Sequence, residues 1–239
     1  YLLKLTGNGA FVWVDVIEGV STYISTIVVN TSGEIYAAGV YVDSADFNPG
    51  AAVYMLHSVL GNGDGYMLKV DANGVFLWAG SIGGASTDRI NSIALDSYEN
   101  IYAVGTGTGW PTDIDPGPGV YTSPTTGNMA TFIFSLTPQG NFRNGATLQG
   151  SVTIDGRSIA LSQTNSLYMA ANLSGYNTIP VYFEPGHVPT THAFAAYSYD
   201  ASTIKIIQTV LPQQPNLTAS SPTICVSDSV FIYASGSLN

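Results

Sequence analysis

One cysteine, Cys225, stands in the 239-residue chain, so no internal disulfide can form and everything before it must be held by packing alone. Charge is nearly as scarce. Asp, Glu, Lys and Arg make up 9% of the residues, which leaves solubility to Ser, Thr, Asn, Gly and the backbone, a composition that suits sheet surfaces better than exposed helices. Six Lys and Arg against sixteen Asp and Glu give a net charge of −10, a sign that repels phosphate and argues against nucleic acid as a partner. Long apolar runs are missing too. Stretches such as Tyr23 to Val29 and Ala193 to Tyr197 fall far short of the roughly 18 residues needed to span a bilayer, so no membrane insertion is expected. No basic segment leads into an apolar one at the start, as expected for an internal segment or a chain whose signal peptide has been removed.

What the chain has is hydrophobic mass, 45% of its residues, and a repeat. Tyr1-Leu2-Leu3-Lys4-Leu5, Gly7-Asn8-Gly9 and Phe11-Val12-Trp13 return as Tyr66-Met67-Leu68-Lys69-Val70, Ala72-Asn73-Gly74 and Phe76-Leu77-Trp78, an offset of 66 − 1 = 65. Phe132 to Leu136, Pro138-Gln139-Gly140 and Asn141-Phe142 form an eroded third copy, and Phe194 to Asp200 followed by Ile204 to Val210 reads as a fourth. A second half-unit joins Ile27-Val28-Val29 to Ile35-Tyr36-Ala37-Ala38-Gly39, Ile93-Ala94-Leu95 to Ile101-Tyr102-Ala103-Val104-Gly105, and Ile159-Ala160-Leu161 to Leu167-Tyr168-Met169-Ala170. After it come Asp46-Phe47-Asn48-Pro49-Gly50, Asp113-Ile114-Asp115-Pro116-Gly117 and Tyr182-Phe183-Glu184-Pro185-Gly186.

Each unit thus holds four short β-rich runs punctuated by Asn-Gly, Ser-Gly or Pro-Gly turns, and four antiparallel strands per repeat describe a propeller blade. The runs are apolar along their length, as expected of strands covered on both faces. The expected fold is all-β: a propeller segment over 1–211, with a half blade at 1–22 and blades near 23–85, 86–150 and 151–211, then a linker at 212–216. That is about three and a half blades, fewer than a closed ring needs, so further blades are expected upstream.

The pattern Tyr66-x-x-Lys69-Val70-Asp71-x-Asn73-Gly74-x-x-x-Trp78, with Asn91 to Asp96, Asn100 to Gly105 and Asp46 to Gly50, resembles the SBBP-type β-propeller repeats over residues 1 to about 211. The third unit departs, with Asn144 where Trp13 and Trp78 stand. The resemblance implies a large exported surface protein of Bacteroidetes, of the kind carried by the type IX pathway, with Ig-like modules downstream. Residues 217–239, with Leu217 to Ala219, Thr223 to Val226 and Val230 to Ala234, then read as the opening strands of an Ig-like domain. In such domains a cysteine like Cys225 pairs with one far downstream, the alternative being a free buried thiol. Asp43-Ser44-Ala45 and Asp228-Ser229-Val230 resemble the O-glycosylation motif of such surface proteins, making Ser44 and Ser229 candidate acceptors.

Chemistry is sparse. Asp43, Asp46, Asn48, Asp113 and Asp115 offer oxygen ligands that suit Ca²⁺, although Pro and Gly explain a turn by themselves. No other cofactor is expected. His57, His187 and His192 lie between the repeats, in no catalytic motif or zinc spacing. Gly61 to Gly65 and Gly105 to Gly109 read as loops, and Lys4 and Lys69 as exposed or edge residues. Trp13 and Trp78 read as packing residues between blades. The expected function is non-enzymatic: an extracellular or cell-surface module that binds surface proteins, glycans or secretion components. A propeller hydrolase or lyase acting on glycans, with its site in blades outside the chain, and a passive spacer or cargo region are the alternatives.

Overall fold

The computed structural model describes residues 1–108, 111–123, 129–150, 153–163 and 167–174, together with the strand segments 181–183, 193–194, 200–209, 216–219, 223–224 and 230–235. Apart from one 3-10 turn at Val59–Gly61, the described elements are β-strands. The first sheet is a strand pair, β1 (Leu2–Leu5) and β2 (Phe11–Asp15). The second is an antiparallel meander of β3 (Glu18–Val29), β4 (Ile35–Asp46), β6 (Gly63–Val70) and β7 (Phe76–Ile82), with the short β5 (Met55–His57) on the end of β4.

The third sheet repeats that meander with β8 (Asp88–Leu95), β9 (Ile101–Gly107), β12 (Ala130–Leu136) and β13 (Phe142–Gly150), while β10 (Thr112–Asp113) and β11 (Thr122–Ser123) pair beside it. The fourth opens with β14 (Thr153–Leu161) and β15 (Leu167–Ser174). Beyond them, β16 (Val181–Phe183) adds to the edge of β13. β17 (Ala193–Phe194) pairs with the later β20 (Thr223–Ile224). The fourth sheet continues through β18 (Asp200–Thr209) to β21 (Val230–Ser235) and β19 (Asn216–Ala219).

Two features of the last sheet differ from the sequence expectation. Asp200–Thr209 pairs directly with β15 and sets Lys205 opposite Tyr168, as Lys69 stands opposite Tyr36, so the run at Ile204 is the third strand of its unit rather than the fourth. The longer connection before it breaks the 65-to-66-residue spacing on which that part of the repeat was aligned. The strands at 216–219 and 230–235 are hydrogen-bonded into the same sheet, β21 running parallel to β18 and using its otherwise unpaired edge.

Four of the described hairpin turns are built alike. Asn30, Asp71 and Asp96 each use Oδ1 to accept two backbone N–H groups from the following four residues, and Thr137 does the same with Oγ1. Gly9, Gly74 and Gly140 close equivalent turns at φ 83°, 84° and 84°, where a side chain would be strained.

Period-2 alternation explains why the central strands look uniformly apolar. One face of β4 and β6, with Ile35, Ala37, Tyr41, Tyr66, Leu68 and Val70, packs with Leu2 and Ile17 in one core. The other, with Tyr36, Ala38 and Met67, packs with Ile90, Ile93, Phe132 and Phe134 in a second. Each core thus fills a seam between consecutive sheets, and burying each of its Leu, Ile, Val, Met and Phe side chains contributes about 1.5–3 kcal/mol. The strands β3, β8 and β14 are stacked in order, β3 against β8 and β8 against β14.

Candidate functional site

Two kinds of position stand out from this scaffold: loops at the sheet ends, and polar groups inside the seams.

The Asp-x-Asn/Asp-Pro-Gly loops have the same construction. Asp46 Oδ1 accepts from the N–H groups of Asn48 (3.0 Å) and Tyr54 (2.8 Å), and Asn48 Oδ1 accepts from Gly50 (2.9 Å). Asp113 Oδ1 accepts from Asp115 (3.1 Å) and Tyr121 (2.9 Å), and Asp115 Oδ1 accepts from Gly117 (2.8 Å). Phe47 and Ile114 are fully buried beneath the loops. Tyr54 and Tyr121 donate to the carbonyls of Ala79 and Gly145, and each ring lies 4.8 Å from a phenylalanine, Phe76 or Phe142. These carboxylates and amides therefore turn oxygens toward backbone N–H groups and latch each loop onto the outer strand of its sheet. Among the described residues no three His, Cys, Asp or Glu side chains gather in metal-holding range.

Asp43 lies exposed at φ 65°, beside a contact that the sequence did not reveal: Ser44 Oγ and His57 Nδ1 are 2.8 Å apart across the β4–β5 pairing. His57 is thus on a short strand, which one residue later becomes the turn at Val59–Gly61. Asp43 Oδ1 sits 3.5 Å from Ser44 Oγ, on the serine side of the pair. A nucleophilic relay needs its carboxylate on the far ring nitrogen, and no hydrogen bond places one there among the described residues. Ser44, the candidate glycosylation acceptor, is half-buried and engaged by His57. Ser229, Cys225, His187, His192 and Glu184 to Gly186 lie outside the described residues.

Inside the seams, Lys69 corrects its expected exposure. It is 7% exposed, pairs with Glu34 Oε2 at 2.7 Å and lies 4.8 Å from the centre of the Tyr36 ring. Burial pulls its ammonium down, but the bonds to Glu34 and Tyr36 outweigh this and leave it raised; the hydrogen bond from Lys69 holds Glu34 below the usual carboxylate range. The reason is the register, which sets Lys69 opposite Tyr36 inside a four-stranded sheet rather than at an edge. Lys4 and Trp13 both donate to the Ala72 carbonyl, at 2.5 and 3.3 Å, while Lys69 and Trp78 donate to Pro138, at 3.4 and 3.2 Å. The first and second sheets thus each clasp the turn of the next.

The glycine-rich runs are also corrected. Gly63 to Gly65 belong to β6 and Gly105 to Gly107 to β9. A Cβ on Gly105 would lie 2.2 Å from the Arg89 carbonyl and 2.3 Å from the Phe132 ring, so glycine permits the tight stacking there.

Two acids went unnoticed in the sequence. Asp64 and Asp88 are each 1% exposed, on β6 and β8 of adjoining sheets. Burial, offset in part by the Val59 N–H and reinforced by Asp88, pushes Asp64 up to about 7. Burial pushes Asp88 up to about 6, against the stabilising hydrogen bonds of Thr112 and Gly84. Aligning the repeats would have revealed them, since acids stand where the following copy carries Ala130 and Ile154.

No family model and no curated protein matches the chain.

Proposed function

We propose that the chain is an arc of a β-propeller of about three and a half blades that works outside the cell as a non-catalytic binding module. The successive four-stranded meanders, stacked with β3, β8 and β14 in line and clasped at repeated positions, support the propeller reading. The observation behind binding is the excursion between β4 and β6. It is latched at Asp46 yet presents Val53 at 70% exposure and Leu60 at 80%, the latter at φ 56°, where a leucine gains nothing from packing. Exposed apolar side chains on a fixed loop suit a protein or glycan surface. The resemblance to SBBP-type repeats supports placement in a multidomain surface protein of Bacteroidetes.

The test is binding of the labelled chain to immobilised bacterial glycans and purified surface proteins, alongside Val53→Ser/Leu60→Ser. Saturable binding that the variant loses supports the reading. Release of shortened glycan products would overturn it in favour of a hydrolase or lyase. Electron microscopy of a longer polypeptide containing the chain should show a ring with β3, β8 and β14 nearest the axis; an open stack would overturn the propeller.

A further inference from the structure

We propose that Asp64 and Asp88 hold a hard divalent cation of the calcium class at the seam between the second and third sheets. The repeat itself shows that the fold does not require acids there. Asp64 pairs with Tyr41 on β4 and Ala130 with Gly107 on β9, equivalent positions 66 residues apart, so Ala130 is the counterpart of Asp64. Asp88 faces Gly107 and Ile154 faces Leu173, again 66 apart, so Ile154 is the counterpart of Asp88. Ala130 is 1% exposed and Ile154 fully buried. One seam is filled with alkyl groups where the other carries two carboxylates.

The strands that carry them, β6 and β8, pack against each other. At the apolar seam the Ile154 N–H donates to the Met129 carbonyl at 3.2 Å, tying β14 to the residue beside Ala130. At the acidic seam a ring of contacts links the pair. A Cβ on Gly83 would sit 2.2 Å from the Asp64 carboxyl carbon, and Gly83 exchanges backbone hydrogen bonds with Asp113 at 2.9 Å. Thr112, next in the chain, donates to Asp88 Oδ1 at 2.6 Å.

Each carboxylate has one oxygen satisfied and one bare. Asp64 Oδ2 accepts from Val59 N–H at 2.9 Å, while Oδ1 is buried without a partner. Asp88 Oδ1 accepts from Thr112, while Oδ2 is buried without a partner. The ion pairs among the described residues use Glu34 and Asp155, and none reaches either acid. Two bare carboxylate oxygens in one dry seam call for positive charge and further ligands together. A hard cation supplies both, completing its oxygen shell with neutral donors such as hydroxyls, main-chain carbonyls and water. Gly83 and Gly107 make room for the carboxylates themselves, a Cβ on Gly107 falling 2.3 Å from Asp88 Oδ1.

The experiment follows the full chain, stripped with chelator, by thermal melting and titration calorimetry with CaCl₂ at pH 7.5. Expected are saturable binding and a rise in Tm of about 5 °C at saturation. Asp64→Ala/Asp88→Ile, which installs the side chains of the next seam, should fold in chelator and lose both responses. The isosteric Asp64→Asn/Asp88→Asn should lose them as well. Asp46→Asn/Asp113→Asn, which alters the loops, should keep them. A wild-type chain indifferent to Ca²⁺ would overturn the proposal, the pair then being satisfied by a shared proton. So would a response that survives in both seam variants, because the ion would then sit elsewhere.

Discussion

The indole of Trp78 donates to the carbonyl of Pro138, 60 residues ahead and one sheet away, as the indole of Trp13 donates to Ala72, 59 residues ahead. These sheets are therefore joined by directed bonds as well as by apolar packing, and the tryptophans that mark the repeat make them together with Lys4 and Lys69.

Trp78→Phe keeps most of the packing and removes the bond, with an expected loss of about 1 kcal/mol. Trp78→Ala also removes the ring that faces Gly140 and should lose about 3 kcal/mol. Urea unfolding followed by far-UV circular dichroism measures both. Equal losses would mean that the hydrogen bond contributes and the packing does not.

Lys69→Met leaves Glu34 without its partner beside a buried ring, and about 2 kcal/mol of stability should go. Adding Glu34→Gln should restore part of that. A double-mutant cycle with no coupling would show that the pair is an ordinary surface contact despite its burial.

Asp64 and Asp88 titrate higher in the folded chain than their unfolded value of 3.8, to about 7 and about 6. Between pH 4 and 7 the folded state therefore holds protons that the unfolded state has lost, so stability is greatest at the acid end and falls as pH rises through the folded values. In chelator, Tm should be higher at pH 5 than at pH 8. Asp64→Asn/Asp88→Asn should flatten that slope, and a slope unchanged by the substitutions would assign it to other groups.

Gly74→Ala should destabilise by at least 1 kcal/mol, because φ is 84° and the added Cβ would overlap the Asp15 carboxylate. Asp15→Ala in the same chain removes the overlap but not the backbone strain, so it should recover part of the loss.

The all-β class and the turns were legible in the sequence because they rest on local chemistry. A side-chain oxygen at Asn30 or Asp71 caps its own turn, and Gly74 opens one, whatever packs around them. Apolar runs at 66-residue spacing marked Tyr36 and Tyr102, and the strands formed where those runs lie. The fate of polar groups was not local. Lys69 is buried because strand register delivers Glu34 and Tyr36 to it, and Gly105 sits in a strand whose neighbours, the Arg89 carbonyl and the Phe132 ring, leave room for glycine alone. Ser44 meets His57 only because β5 turns back along β4. Asp64 and Asp88, 24 residues apart in the chain, become neighbours through the stacking of two sheets, and the cost of removing a charge from water depends on that three-dimensional neighbourhood rather than on the residues beside it in sequence.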